Sequence, residues 1–117
     1  MQIVELLAEL CHEINRAYCR GMGDDSQPKW KDASDDQKDS ARAGVMAYLK
    51  SGLSPEQSHA LWVEKKKQQG WKYGVFKDVE NKLHPCMVPF AGLPREQKTK
   101  DYLFAAVVRT VSQQMNR

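Results

Sequence analysis

The run from Gly70 to Leu93 limits the possible folds of this chain more than any other stretch. It has no helical period, and Gly74, Pro85, Pro89 and Gly92 cut it into short extended pieces, so no continuous helix can pass through it. The segments on both sides are helical in pattern. The expectation is a mainly α fold, a single domain of about four helices spanning 1–117, with an ordered irregular segment carrying short β-strands between helices three and four. Lys72–Phe76 and Cys86–Val88 are the expected strands.

Apolar residues at Ile3, Leu6, Leu7, Leu10, Ile14, Ala17 and Tyr18 keep the three-and-four spacing of a helix over 3–20. The other face, with Glu5, Glu9, Glu13, Arg16 and Arg20, reads as mostly solvated. The stretch from Gly21 to Pro28 ends this helix, with glycines suited to a C-terminal cap, and a loop runs on to Trp30. Ser34 and Gln37 have capping-box spacing and open a second helix from Asp35 to about Lys50, stopped by Gly52. Ser54-Pro55-Glu56-Gln57 repeats the start signal for a third, which runs to about Gln69. This third helix offers Ala60, Leu61, Trp62 and lysine stems for burial, and Lys65-Lys66-Lys67 reads as a solvated run that complements the helix dipole. The fourth begins at Pro94 and reaches about Gln114. No internal repeat is legible.

A length of 117 residues suits one core, and 41% apolar with 28% charged residues is ordinary for a soluble globular protein. No run of about 18 apolar residues could span a bilayer, and Met1-Gln2-Ile3-Val4-Glu5 does not open like a secretion signal, so a cytoplasmic location without membrane contact is expected. Cys11, Cys19 and Cys86 form no CxxC pair and are expected as free thiols. They and the three histidines have no recognised metal-ligand spacing, and Asp24-Asp25 lacks the rest of an EF-hand loop, so neither a metal nor a cofactor is expected. The net charge of +3 suits a small anionic ligand better than a nucleic-acid duplex.

One combination of residues is specific. His59-Ala60-Leu61-Trp62 with Lys66, Gly70-Trp71-Lys72-Tyr73-Gly74, Lys77-Asp78, Lys82, His84-Pro85-Cys86, Pro89-Phe90, Leu93-Pro94 and Lys100-Asp101 resembles the ryanodine-receptor repeat, the RyR domain, most closely over 58–108. The upstream part around Cys11–Cys19 and Gly23–Trp30 looks like the extension of free-standing bacterial and phage members, which implies a prokaryotic or viral owner. The large calcium channels carry such repeats in tandem pairs and this chain holds one, so the resemblance allows a homodimer across a two-fold axis. It also implies a non-catalytic module near nucleotide signalling and phage defence, which in host cytoplasm would sense or sequester a nucleotide-like small molecule, cyclic nucleotides included.

The residues themselves allow two readings at each position. Trp71 and Tyr73, two apart, would share one face of an extended segment and can either stack a base or fill the core. Lys77 and Lys82 can meet a phosphate or wet the loop surface. Asp78 can cap its own turn or accept from a ribose hydroxyl or base amine. His84 can donate to a phosphate or to a backbone carbonyl, and Cys86 reads as a small buried residue. On helix one, Asn15 and Tyr18 share a face with Arg16 about 100° away, and a mid-helix Asn hints at a specific hydrogen bond. Trp30 can close over a site or anchor the core. The expected function is nucleotide recognition without turnover, the alternative is a protein-interaction or assembly module, and a small hydrolase or transferase using Cys86 or His84 is a third class.

Overall fold

A computed structural model describes residues 2–115. The expected 1–117 span therefore includes Met1, Asn116 and Arg117, which lie outside the described residues. Four α-helices run α1 (Gln2–Gly21), α2 (Asp35–Ser51), α3 (Pro55–Gln68) and α4 (Arg95–Met115). Single 3-10 turns at Trp30–Asp32 and Phe90–Gly92 precede α2 and α4, and two short strands, β1 (Lys72–Tyr73) and β2 (Leu83–His84), pair between α3 and α4. The mainly helical expectation holds, and no described helix is long and apolar enough to cross a membrane.

The caps follow the local chemistry. Ser54 and Gln57 form a complete capping box with Pro55 in the first turn, and Gly52 closes α2 in the left-handed conformation at φ 61°. At α2 the box is half made. Ser34 accepts from the Gln37 N–H, but the Gln37 carboxamide donates to Gln27 Oε1 at 3.0 Å.

The core belongs to α1, α2 and α4. Leu7, Val45 and Val108 are fully buried, joined by Val4, Ala8 and Trp30 and flanked by Tyr48 and Phe104. Each large apolar side chain so buried contributes on the order of 1.5–3 kcal/mol. The face of α1 expected to be solvated is partly engaged. Glu5 receives Arg42 of α2 at 2.7 and 3.0 Å, and Glu13 accepts the Trp30 N–H at 2.9 Å while pairing with Arg16. α3 departs from expectation in a similar way, for Ala60 and Leu61 are exposed and His59 is its buried residue.

A repeat invisible in the sequence is plain in the backbone. The buried His12 of α1 donates from Nε2–H to the Pro28 carbonyl at 2.7 Å, and the buried His59 of α3 donates likewise to Val88 at 2.7 Å. A carbonyl only accepts, so Nε2 carries the proton in both. Each histidine then meets the aromatic residue of the following 3-10 turn, Trp30 at 5.6 Å and 59° or Phe90 at 6.2 Å and 63°. The turns have matching flanks, Lys29 (φ −61°, ψ 153°) with Pro89 (−58°, 153°) and Ala33 (−67°, 150°) with Leu93 (−76°, 147°). Both first helices also end alike. Gly23 and Gly70 take positive φ, and the N–H groups of Asp24 and Trp71 reach back to Cys19 and Lys66 in Schellman geometry. The latched carbonyl lies 16 residues after the histidine in the first unit and 29 after it in the second, and the longer connection carries β1 and β2.

The second strand is not where Cys86–Val88 was expected. Pro85 occupies the second position of a turn closed by the Met87 N–H on the His84 carbonyl, so the ladder moves upstream to Leu83–His84 and runs parallel to Lys72–Tyr73. Gly74 permits this, because a Cβ there would stand 2.6 Å from that of Leu83.

We predict that His12→Ala, which leaves the Pro28 carbonyl without its donor, lowers unfolding free energy by about 1–3 kcal/mol. Chemical denaturation measures this, and an unchanged midpoint would show that the latch has no stabilising role.

Candidate functional site

The site grows out of the end of α3. Trp62 and Lys66 lie one turn apart on the helix, and the Schellman cap brings Trp71 back over Lys66. The Lys66 ammonium stands 5.1 Å from the Trp71 ring and 6.0 Å from that of Trp62, and its side chain is only 14% exposed. Its nearest carboxylate, Asp36 of α2, is 4.0 Å away and largely exposed. His84 of β2 completes the wall, edge-on to Trp62 at 5.1 Å and to Trp71 at 6.1 Å.

This wall faces a cleft of about 690 Å³ between α3 with its following loop and the start of α2. The cleft exists because the two units are packed unequally. α1 lies firmly against α4, whereas α3 leans on α4 and touches α2 little. Adjoining the cleft is a second open space, the inner chamber, of about 390 Å³ among the four helices, and Gln27, Gln37, Ser40, Trp62 and His84 line both. Asn15, Ser58, Gln97, Lys100 and Asp101 line the chamber.

The electrostatics are asymmetric. Burial, reinforced by Lys77, Lys66 and Lys100, lowers His84 to about 4, so at neutral pH it is an uncharged imidazole. Its Nδ1 accepts the Cys86 N–H at 3.0 Å, which leaves the proton on Nε2. Asp101 is displaced the other way, raised to about 6 by burial against the opposing influence of His59 and Lys100. Among the described residues its carboxylate has no hydrogen-bond or ion-pair partner, and Ser58 Oγ is the one buried side-chain polar atom without a partner. Burial also raises the thiols of Cys11 and Cys86, and no group of three metal-ligating side chains forms among the described residues.

A family model described as the RyR domain matches residues 46–113, more than half of the chain. The chain belongs to the RyR domain family. The matched segment takes in the end of α2 and the second unit up to two residues short of the end of α4, including the Trp62, Lys66, Trp71 and His84 wall.

Within this RyR domain the expected residues separate. Trp71, Lys77 and His84 line the outer cleft, and Asn15 lines the inner chamber. Tyr73 does not share the Trp71 wall. It is 55% exposed, since Trp71 is held by the helix cap while the ladder begins only at Lys72. Lys82, at φ 55°, donates to the Gln69 carbonyl at 2.7 Å at the end of α3. Asp78 is backbone-paired with Leu83 and accepts from Asn81, the turn-capping alternative. Arg16 pairs with Glu13, Tyr18 lines neither space, and Trp30 is a core residue with Lys38 and Arg42 over its ring.

Sequence reasoning passed over Trp62, Lys66, Ser58, Lys100 and Asp101 as site residues. One signal was available, the Trp62–Lys66 spacing of one helical turn just before the glycine that folds Trp71 back.

The raised Asp101 sets a pH test. A carboxyl with a folded-state pKa above its unfolded value destabilises the fold above pH 6, and this effect disappears below about 4. Asp101→Asn should raise Tm by about 2–5 °C at pH 8, with the gain shrinking between pH 6 and 4. A pH-independent difference would contradict the assignment.

Proposed function

We propose that this RyR domain is a non-catalytic cytoplasmic module that binds a nucleotide or nucleotide-derived messenger in the outer cleft and so senses or sequesters it. The observation that carries this reading is the placement of Lys66, a largely buried ammonium between two indoles on the wall of an open cleft, whose one ion-pair partner among the described residues, Asp36, is 4.0 Å away. Indole faces stack planar bases, at roughly 1–3 kcal/mol per base. The cation provides a charge-assisted donor for phosphate. The joint effect of Lys77, Lys66 and Lys100 on His84 supports a positive potential across the cleft, and the neutral imidazole with a free Nε2–H fits a neutral hydrogen-bond donor. The unactivated Cys86 thiol and the absence of a described metal-ligand group offer no support for turnover.

Because Trp62 and Trp71 line the cleft, intrinsic fluorescence reports on occupancy. Titration with mono-, di- and cyclic nucleotides should give saturable quenching for at least one, with the ligand recovered unchanged. Trp71→Ala and Lys66→Gln should each weaken it at least about tenfold, the equivalent of 1.4 kcal/mol. Silence across the panel overturns the reading.

A second reading, assembly through protein contact, is favoured by a separate surface. Val75, Phe76 and Val79 are 69%, 82% and 68% exposed on the loop between β1 and β2, beside the exposed Tyr73. Exposed apolar residues grouped in this way suit an interface. If the chain pairs with itself there, Phe76→Asp should shift its sedimentation from dimer to monomer. A parent that sediments as a monomer at high concentration rules out that pairing.

A further inference from the structure

The two histidine-latched units provide an internal comparison for the inner chamber. His12 corresponds to His59, and Ala33 to Leu93, so Cys11 is the counterpart of Ser58 and Ala41 that of Asp101. Cys11 and Ala41 pack against the apolar core. The fold is therefore satisfied at these positions by a thiol and a methyl group. In the second unit the same positions carry a buried hydroxyl without a partner and a half-buried carboxylate that no described side chain or backbone group pairs, and both residues line the chamber. Burying such groups costs stability unless something completes their hydrogen bonds.

The chemistry of what is missing follows from the lining. An ionised carboxylate only accepts, Lys100 only donates, and the Ser58 hydroxyl and Asn15 amide do both, so α1, α3 and α4 bring mixed donors and acceptors to one space, the complement of a hydroxyl that both gives and takes a hydrogen bond. Asn15 has only a weak contact of its own, to Cys19 Sγ at 4.0 Å. The chamber is poor in stacking surface, since one face of Trp62 is stacked on His59 and Phe104 is edge-packed on Tyr48. A puckered ring with hydroxyls pointing in different directions fits such a mixed lining better than a flat base edge does.

We propose that the inner chamber receives the vicinal hydroxyls of a ribose, with Asp101 as the principal acceptor and Ser58 as the second, while the attached base lies in the outer cleft against Trp71. This rests on the nucleotide reading above and adds what that reading leaves open, discrimination for the sugar. The ligand class is a ribonucleotide with its 2′ and 3′ hydroxyls free, which sets it apart from deoxynucleotides and from those with both positions blocked.

The test uses the full chain and paired probes, ADP, GDP, CDP and UDP against their 2′,3′-dideoxy forms, followed by indole fluorescence and calorimetry. The ribose form of at least one pair should bind at least about tenfold tighter than its dideoxy partner. In Asp101→Asn that ratio should fall to about one while the dideoxy affinity holds, and Ser58→Ala should reduce it by a smaller factor. The preference should also decline as Asp101 protonates below pH 6. If a pair binds with equal affinity, or if Asp101→Asn keeps the preference, the sugar assignment falls and the nucleotide reading stands. If no probe binds in either form, both fall. Retained binding of the dideoxy form by Asp101→Asn separates loss of recognition from loss of fold.

Discussion

Two imidazoles, each donating one proton to a backbone carbonyl, hold the irregular parts of this molecule against its helices. His12 fastens the strap at Pro28 and His59 the strap at Val88. Each strap then turns through a single 3-10 turn into the next helix, so the latch also decides where α2 and α4 begin. A buried histidine is well suited to this, because one ring N–H meets the carbonyl while the flat ring packs against its aromatic neighbour. With the latch made, Trp30 or Phe90 falls beside its histidine and closes the unit.

The second unit uses the same plan with a longer connection, and the site is built on the difference. Asn15, Cys19 and Asp24 of the first unit correspond to Trp62, Lys66 and Trp71 of the second, on equivalent turns of helix and at equivalent positions of the Schellman cap. The small polar set is compatible with close packing of α1, while the large aromatic and cationic set stands between α3 and α2. The unequal seams follow from this, with α1 closed on α4 and α3 standing off α2. Gly44 and Phe104, also equivalent positions, meet across the middle, and a Cβ on Gly44 would lie 3.5 Å from the Phe104 ring. Large against small at that point brings α2 and α4 together and leaves the chamber beside them.

Much of this was legible in particular residues. Ser54-Pro55-Glu56-Gln57 and Gly52 announce the α3 start and the α2 stop, because capping acts through hydrogen bonds within a few residues. Trp71, Lys77, His84 and Asn15 were singled out and do line the two spaces. Strand alternation puts Tyr73 on the face of Trp71 only if the ladder starts before Trp71, and it starts at Lys72. In sequence Lys66 is one of three consecutive lysines that read as solvated, since a run of like charges does not reveal which member a following glycine will fold an indole onto. Asp101 and Ser58 resemble ordinary helix-surface residues until the opposing helices are placed.

The sequence by itself determined the four helices, their caps, the interruption between the third and fourth, and membership of the RyR domain family, because these depend on neighbours a few residues away or on a long specific pattern. Only the tertiary structure decided that the chain contains one unit twice. The shared residues are few, while the shared backbone geometry is extensive, and the second copy is stretched by the insertion that carries β1 and β2. It also decided which polar groups lack partners. A hydrogen bond unmade at Ser58 or Asp101 is a property of everything packed around it, and no local rule can register it before α1, α2, α3 and α4 have met.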